Sequence, residues 1–309
     1  MKIHYEILFA EIARRHCAMG IGFKEALTDG DTDKPEKRKE KDMLHTVVID
    51  DISGVSQLLM EQVYRPDLKR YRSLYVYRGM SNADFDIVSS LQRICKHKAP
   101  TLEPVILSNF TKYAALEDPS IENSIWRQMI LGQHHGLPTR LLDWSFSPLT
   151  SLHFAMSESN LDDMDKHDSV VWRVDVNELH AMLPKKYQQV MEREKATVFS
   201  LKMLQEACGS LARYDADMKD EAMLIVEPPS IEQRIINQYS FFSIVPMAME
   251  DVTGFLDKHT DKTVRYVFKK EVRWQVRDLL DQLNISERIV YPGLDGLSQW
   301  LARHYYVKD

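Results

Sequence analysis

Gln133-His134-His135-Gly136-Leu137-Pro138-Thr139-Arg140-Leu141-Leu142-Asp143-Trp144-Ser145 concentrates more reactive side chains than any other stretch of the chain. Two imidazoles, an amide, a guanidinium, a carboxylate, an indole and several hydroxyls fall within one short segment. Gly136 and Pro138 mark it as a shaped turn and exclude the middle of a helix. Beyond it, Pro148-Leu149-Thr150-Ser151-Leu152-His153-Phe154-Ala155-Met156 reads as a helix. Proline fits its first turn because the missing N–H has no intrahelical partner there. Ser145 or Ser147 is placed to cap that helix, whose N–H groups would then face the turn and favour an anion.

Composition narrows the class. The 309 residues are 44% hydrophobic and 28% charged, as expected of an ordinary globular protein, and suffice for one large core or two small ones. A formal net charge of −6 excludes the global basic field that drives non-specific nucleic-acid binding. Three scattered cysteines, Cys17, Cys95 and Cys208, fit a reducing compartment and neither a disulfide framework nor a paired-cysteine zinc site. No apolar run approaches the roughly 20 residues of a membrane span. Glu6, Glu11, Arg14 and Arg15 interrupt the N-terminal apolar piece, so the expected location is the cytoplasm, with no membrane partner.

The chain divides into an N-terminal helical segment (1–27), a charged linker (28–45) and a main domain (46–309). The linker is almost wholly polar, as in Asp33-Lys34-Pro35-Glu36-Lys37-Arg38-Lys39-Glu40-Lys41, which makes it a solvated segment. Strands are expected near 46–50, 73–77, 169–175, 222–227, 241–245 and 264–268, where β-branched and aromatic residues cluster. Ser169–Asp175 carries apolar residues on both faces and should be buried. Helices are expected over 89–93, over 101–131 in two pieces broken at Pro119-Ser120, over much of 177–221, over 230–240 with a Ser230 cap, and over 271–283. The fold class is α+β: a mixed, mainly antiparallel central sheet flanked by helices. Ser73-Leu74-Tyr75-Val76-Tyr77 leads into Arg78-Gly79, an arginine at a strand end followed by a residue that lets a ligand or backbone come close.

Tyr77-Arg78-Gly79, Ser89-Ser90-Leu91-Gln92-Arg93, the Gln133–Trp144 run, Pro148 and Phe154-Ala155 together resemble the FRG domain, named for its (F/Y)-R-G motif. Arg234, Gln238, Phe241 and Tyr291-Pro292-Gly293-Leu294-Asp295-Gly296-Leu297 are similar to later landmarks of that family. The resemblance spans roughly residues 46–303.

A looser resemblance is to ADP-ribosyltransferase folds, whose sheet is split. These carry an arginine or histidine ending the first strand, a serine-bearing strand before a helix that ends in Phe-Ala, and a late acidic or amide position. Arg78-Gly79, Trp144-Ser145-Phe146-Ser147 up to Phe154-Ala155, and Glu232 or Gln238 follow in that order. Gln238 is not a carboxylate, and Glu232 falls on an expected helix. This resemblance implies NAD as the nucleotide ligand, with ADP-ribosyl transfer to a macromolecular acceptor or hydrolysis of the dinucleotide. The implied catalytic group is Arg78, His134, His135, Asp143 and Gln238. The implied cofactor-binding group is Arg78, Gly79, Gln133, Thr139, Arg140, Trp144 and Ser145.

Other readings stand beside it. One is a non-catalytic module that recognises a nucleotide or a protein end, and another is a nucleic-acid-directed defence or toxin effector. A metal hydrolase built on His134, His135 and Asp143 lacks the H-x-x-x-H spacing, and adjacent histidines rarely point the same way on a regular element, so no metal ligands are assigned. Structurally, Arg140 can pair with Asp143 to fix the turn, Trp144 can belong to the core and His153 can be packing. Tyr291–Leu297 is expected to close a turn without doing chemistry.

Overall fold

Eight strands of the computed structural model, which describes residues 44–116 and 118–308, form one mixed sheet. They are β1 (His45–Ile49), β2 (Tyr75–Met80), β3 (Leu141–Ser145), β4 (Ser169–Asp175), β5 (Phe199–Ser200), β6 (Leu224–Glu227), β7 (Ser240–Ile244) and β8 (Val264–Phe268). Their spatial order is β1-β8-β4-β2-β3-β7-β6-β5. The edge pairs β1/β8 and β5/β6 are parallel, and the five pairs between them are antiparallel. The expected α+β class with a mainly antiparallel sheet is what the fold shows. The N-terminal helical segment and nearly all of the charged linker lie outside the described residues, and β1 starts at His45, the last linker position.

The helices that frame the site are α1 (Ser90–Cys95), α2 (Ala99–Ala114), α3 (Ile125–His134), α4 (Pro148–Ala155), α5 (Gln233–Asn237), α6 (Arg273–Gln282), α7 (Glu287–Val290) and α8 (Leu294–His304). Ser89 caps α1 by accepting the Gln92 N–H, and Ser147, not Ser145, caps α4 by accepting the Thr150 N–H. The helix expected from a Ser230 cap is shorter. It begins at Gln233, after Glu232 in extended conformation.

Two departures from the sequence reading bear on the site. Leu141–Ser145 is a strand, not the continuation of the turn. Leu142 and Trp144 are buried on one face, Leu141 and Ser145 on the other, and only Asp143 is exposed, so no simple alternation marked it. Arg78 and Gly79 lie inside β2, not at its end. Pairing with β4 carries β2 through Met80, whereas its register with β3 holds only Tyr77 opposite Ser145. The two strands therefore part just after Tyr77.

Alternation then sorts the core. One face carries Val76, Leu142, Trp144, Trp172, Ile225 and Val245 in a single cluster. The other carries two clusters. Tyr75, Tyr77, Val171, Tyr266 and Phe268 pack with α4 and α6, while Leu141, Phe242, Ile244 and Leu224 pack with α2 and α3. The seam between those two clusters runs over Asp143 and Ser145, beside the parting of β2 and β3. All seven residues of β4 are buried, as their apolar neighbours implied.

Candidate functional site

Helix α3 turns Trp126, Met129 and Ile130 into the core and ends at His134. His135 is its C-cap, and Gly136 at φ +80° turns the chain, a conformation that needs no Cβ. The following residues are stitched down. The Thr139 carbonyl accepts from the Leu91 N–H (3.0 Å) and the Ser90 hydroxyl (3.2 Å), and the Thr139 N–H donates back to Ser90 Oγ (3.1 Å). The Thr139 hydroxyl donates to Gln133 Oε1 (2.6 Å), and Gln133 Nε2 donates to Asp143 Oδ2 (2.8 Å). Gln133 and Thr139 thus hold one of the two Asp143 carboxylate oxygens in place.

Arg140, expected at a ligand or paired with Asp143, does neither. Its guanidinium is buried, with Nε on Glu103 Oε1 (2.7 Å), Nη2 on Glu103 Oε2 and Nη1 on Asp215 Oδ1 (2.6 Å). Burial works against its charge, but these two carboxylates more than offset it and raise its pKa. Arg140 is therefore a structural cation and not the cofactor contact expected of it, because a guanidinium sealed between two acids has no free face for a phosphate. Trp144 is core: it is buried, and its indole N–H donates to Ser243 Oγ (3.0 Å). Ser145 is also buried. Its hydroxyl donates to the Gln238 carbonyl (2.6 Å) and accepts the Ser147 N–H (3.0 Å).

Arg78 projects from the sheet face opposite Asp143, and its guanidinium fills the parting of β2 and β3. Nη1 donates to the Asp143 main-chain oxygen at 2.7 Å, while the buried Nε has no partner among the described residues. Burial lowers its pKa, partly offset by the Asp143 carboxylate. Gly79 serves packing. A Cβ there would stand 1.8 Å from the Ser151 carbonyl oxygen, so its absence lets the α4 backbone lie on β2. The close approach expected of this glycine is thus made by backbone.

A cleft of about 470 Å³ opens on the Asp143 face. Its walls are His134, Glu232, Gln233, Arg234, Tyr291, Pro292, Asp295 and Gln299. The adjacent histidines do converge, against the sequence expectation. One ends a helix and the other caps it, so they leave the regular repeat, and their Nε2 atoms meet the two oxygens of Glu232, His135 at 3.4 Å. Burial lowers the His134 pKa, with Glu232 opposing, which favours the neutral ring. Arg234 lies 5.0 Å from the centre of the Tyr291 ring and forms no ion pair among the described residues. Burial raises the Tyr291 pKa; Arg234 opposes it, and the carboxylates of Glu287 and Asp143 add to it, so the Asp143 charge is felt at this wall of the cleft.

The frame is rigid. Asn237 and Gln238 on the α5 side donate to the main-chain oxygens of Ile289 (2.6 Å) and Val290 (3.2 Å) on α7. Glu287 is held by Arg303 of α8 (2.7 and 2.8 Å); burial opposes its charge, yet Arg303 keeps its carboxyl down at about 2. His153 is buried at 0% exposure beneath Tyr291 and accepts from Arg277 (2.7 Å). Among the described residues no group of three or more His, Cys, Asp or Glu is arranged to hold a metal ion.

Of the expected residues, His134 lines the cleft, His135 meets its wall through Glu232, and the Asp143 carboxylate acts on Tyr291 from outside the lining, while Arg78, Ser145 and Gln238 belong to the surrounding frame. Arg234, Tyr291, Asp295 and Gln299 went unread as site residues. Arg234, Tyr291 and Asp295 were present only as family landmarks, with Tyr291–Leu297 read as a closing turn, and Gln299 carried no signal.

Residues 73–164, from the approach to β2 to just past α4, match the family model of the FRG domain. The protein carries an FRG domain. No curated protein and no solved structure matches the chain. The matched FRG span supplies Arg78, His134, His135 and Asp143, while Glu232, Arg234 and Tyr291 come from the sequence that follows it. No helix among the described residues is long and apolar enough to cross a membrane.

Proposed function

We propose that this FRG-domain protein consumes NAD at the cleft beside Asp143, passing ADP-ribose to water or to a macromolecular acceptor. The observation that carries the reading is the meeting of His134 and His135 on Glu232 in the cleft wall, with the exposed Asp143 carboxylate held by Gln133 and acting electrostatically on the wall residue Tyr291. At about 470 Å³ the cleft falls within the roughly 300–1,000 Å³ of small-molecule sites.

In this reading the bond between nicotinamide and ribose C1′ breaks, and its electron pair leaves with neutral nicotinamide. The Asp143 carboxylate faces the cationic sugar carbon and stabilises it electrostatically. The neutral His134 ring donates Nε2–H to Glu232 and fixes that carboxylate. Glu232 accepts the proton of the attacking hydroxyl as the new C1′–O bond forms. The products are nicotinamide, one proton and either free or acceptor-bound ADP-ribose.

A second reading, a module that binds the nucleotide without turnover, is favoured by one observation. Gln238, at the late position where transferase-like folds use a carboxylate, has its amide committed to the Val290 carbonyl. Nicotinamide release from NAD separates the two. The enzymatic reading expects release by the native protein and a fall of about 100-fold or more in Glu232→Gln, with the fold intact by circular dichroism. Binding of NAD with no release by the native protein would overturn it.

A further inference from the structure

We infer that Arg234, held on the face of Tyr291, is the group that grips the ligand's phosphates, and that the cleft therefore selects phosphate-bearing ligands over bare nucleosides. This deepens the NAD reading and rests on it for the identity of the nucleotide, but the clamp itself stands on separate geometry.

Three observations carry it. Arg234 lines the cleft and, among the described residues, has neither a hydrogen bond nor an ion pair, although Glu232 and Asp295 share the same walls. Glu232 is already engaged by His134 and His135. Second, the guanidinium sits 5.0 Å from the Tyr291 ring centre, a cation–π contact that orients the fork without using its N–H donors. An oriented fork with five free donors matches phosphate oxygens in pairs, which an ammonium cannot do. Third, the two arginines expected at the nucleotide are engaged elsewhere, Arg140 by Glu103 and Asp215. Arg78 donates to the Asp143 main-chain oxygen in the parting of the strands and is not part of the cleft wall.

Tyr291 is the positioning residue of this pair. Its own place is fixed by the edge-on ring of Phe154 (6.4 Å) and the tilted ring of His153 (6.2 Å) beside it. The ring thus transmits the rigidity of α4 to the guanidinium.

Calorimetric titration of the full chain with inorganic pyrophosphate, ADP-ribose and adenosine tests the clamp. Pyrophosphate and ADP-ribose should bind the native protein and lose about 10- to 100-fold in affinity in Arg234→Ala. Arg234→Lys, which keeps the charge but not the fork, should recover only part of that loss. Tyr291→Leu should weaken both phosphate ligands about fivefold while Tyr291→Phe leaves them unchanged. Adenosine affinity should be the same in all variants, which a merely structural role for Arg234 would not produce. Equal pyrophosphate binding by the native protein and Arg234→Ala, or none by the native protein, overturns the clamp. Pyrophosphate binding that needs Arg234, together with no release of nicotinamide from NAD, would sink the enzymatic reading and leave the clamp standing.

Discussion

The Arg78 guanidinium donates to the main-chain oxygen of Asp143 at 2.7 Å, across the point where β2 and β3 part. A side chain thereby takes up a carbonyl beside the missing stretch of ladder, and the strand bearing the exposed carboxylate is held from the opposite face of the sheet. The two residues have separable roles: Arg78 holds the strand through its main chain, and the exposed Asp143 carboxylate is held by Gln133.

Substitution can separate them. Asp143→Asn keeps the carbonyl that Arg78 binds, so the midpoint of chemical denaturation should barely move while nicotinamide release falls at least about tenfold. Arg78→Ala removes a charge-assisted hydrogen bond and should lower stability by about 2 kcal/mol. Equal destabilisation by both variants would contradict this division.

Gly79→Ala should be one of the most damaging small changes in the chain. The added methyl would meet main-chain atoms of Ser151 and Ala155, which no rotamer can relieve. A loss of about 3 kcal/mol is expected from urea unfolding, with α4 displaced from β2. A variant as stable as the native protein would show that the helix is free to shift.

Arg140→Met strands Glu103 and Asp215, one of them fully buried, without their cation. Breaking one side of such a cluster costs about 3–5 kcal/mol. The double variant Arg140→Met/Glu103→Met should recover much of that loss, because the buried unpaired carboxylate goes too. The urea midpoint of both variants checks it.

Stability should fall below neutral pH through two buried histidines. Burial, reinforced by Arg277, lowers the His153 pKa to about 3, and burial lowers that of His180 to about 4. Both folded values lie below the unfolded value of about 6.5, so the unfolded chain binds more protons in between. The stabilisation is complete above pH 6.5 and is lost as pH falls towards 4 for His180 and 3 for His153. From pH 6.5 to 5 the two together remove on the order of 4 kcal/mol. Guanidinium titrations at pH 5 and 7 measure it, and a flat profile would contradict the buried neutral state of both rings.

What could be read from the sequence follows the physics of each segment. Val170-Val171-Trp172 announced a buried strand because its neighbours are apolar on both sides, and Pro148 with Ser147 announced a helix start through local hydrogen-bond chemistry. Strand β3 was hidden because Asp143 interrupts an otherwise buried run. The convergence of His134, His135 and Glu232 was hidden because it joins positions nearly a hundred residues apart. The role of Arg140 was misread for a related reason, since its true partners, Glu103 and Asp215, lie far from it along the chain. Local chemistry marks where a turn bends, but not which distant carboxylate it meets.

The most direct test is a crystal structure of the full chain with a non-hydrolysable carba-NAD. The pyrophosphate should lie within about 3 Å of the Arg234 guanidinium, with ribose C1′ between the Glu232 and Asp143 carboxylates. Dinucleotide density outside the cleft bounded by His134, Arg234 and Tyr291 would contradict the account.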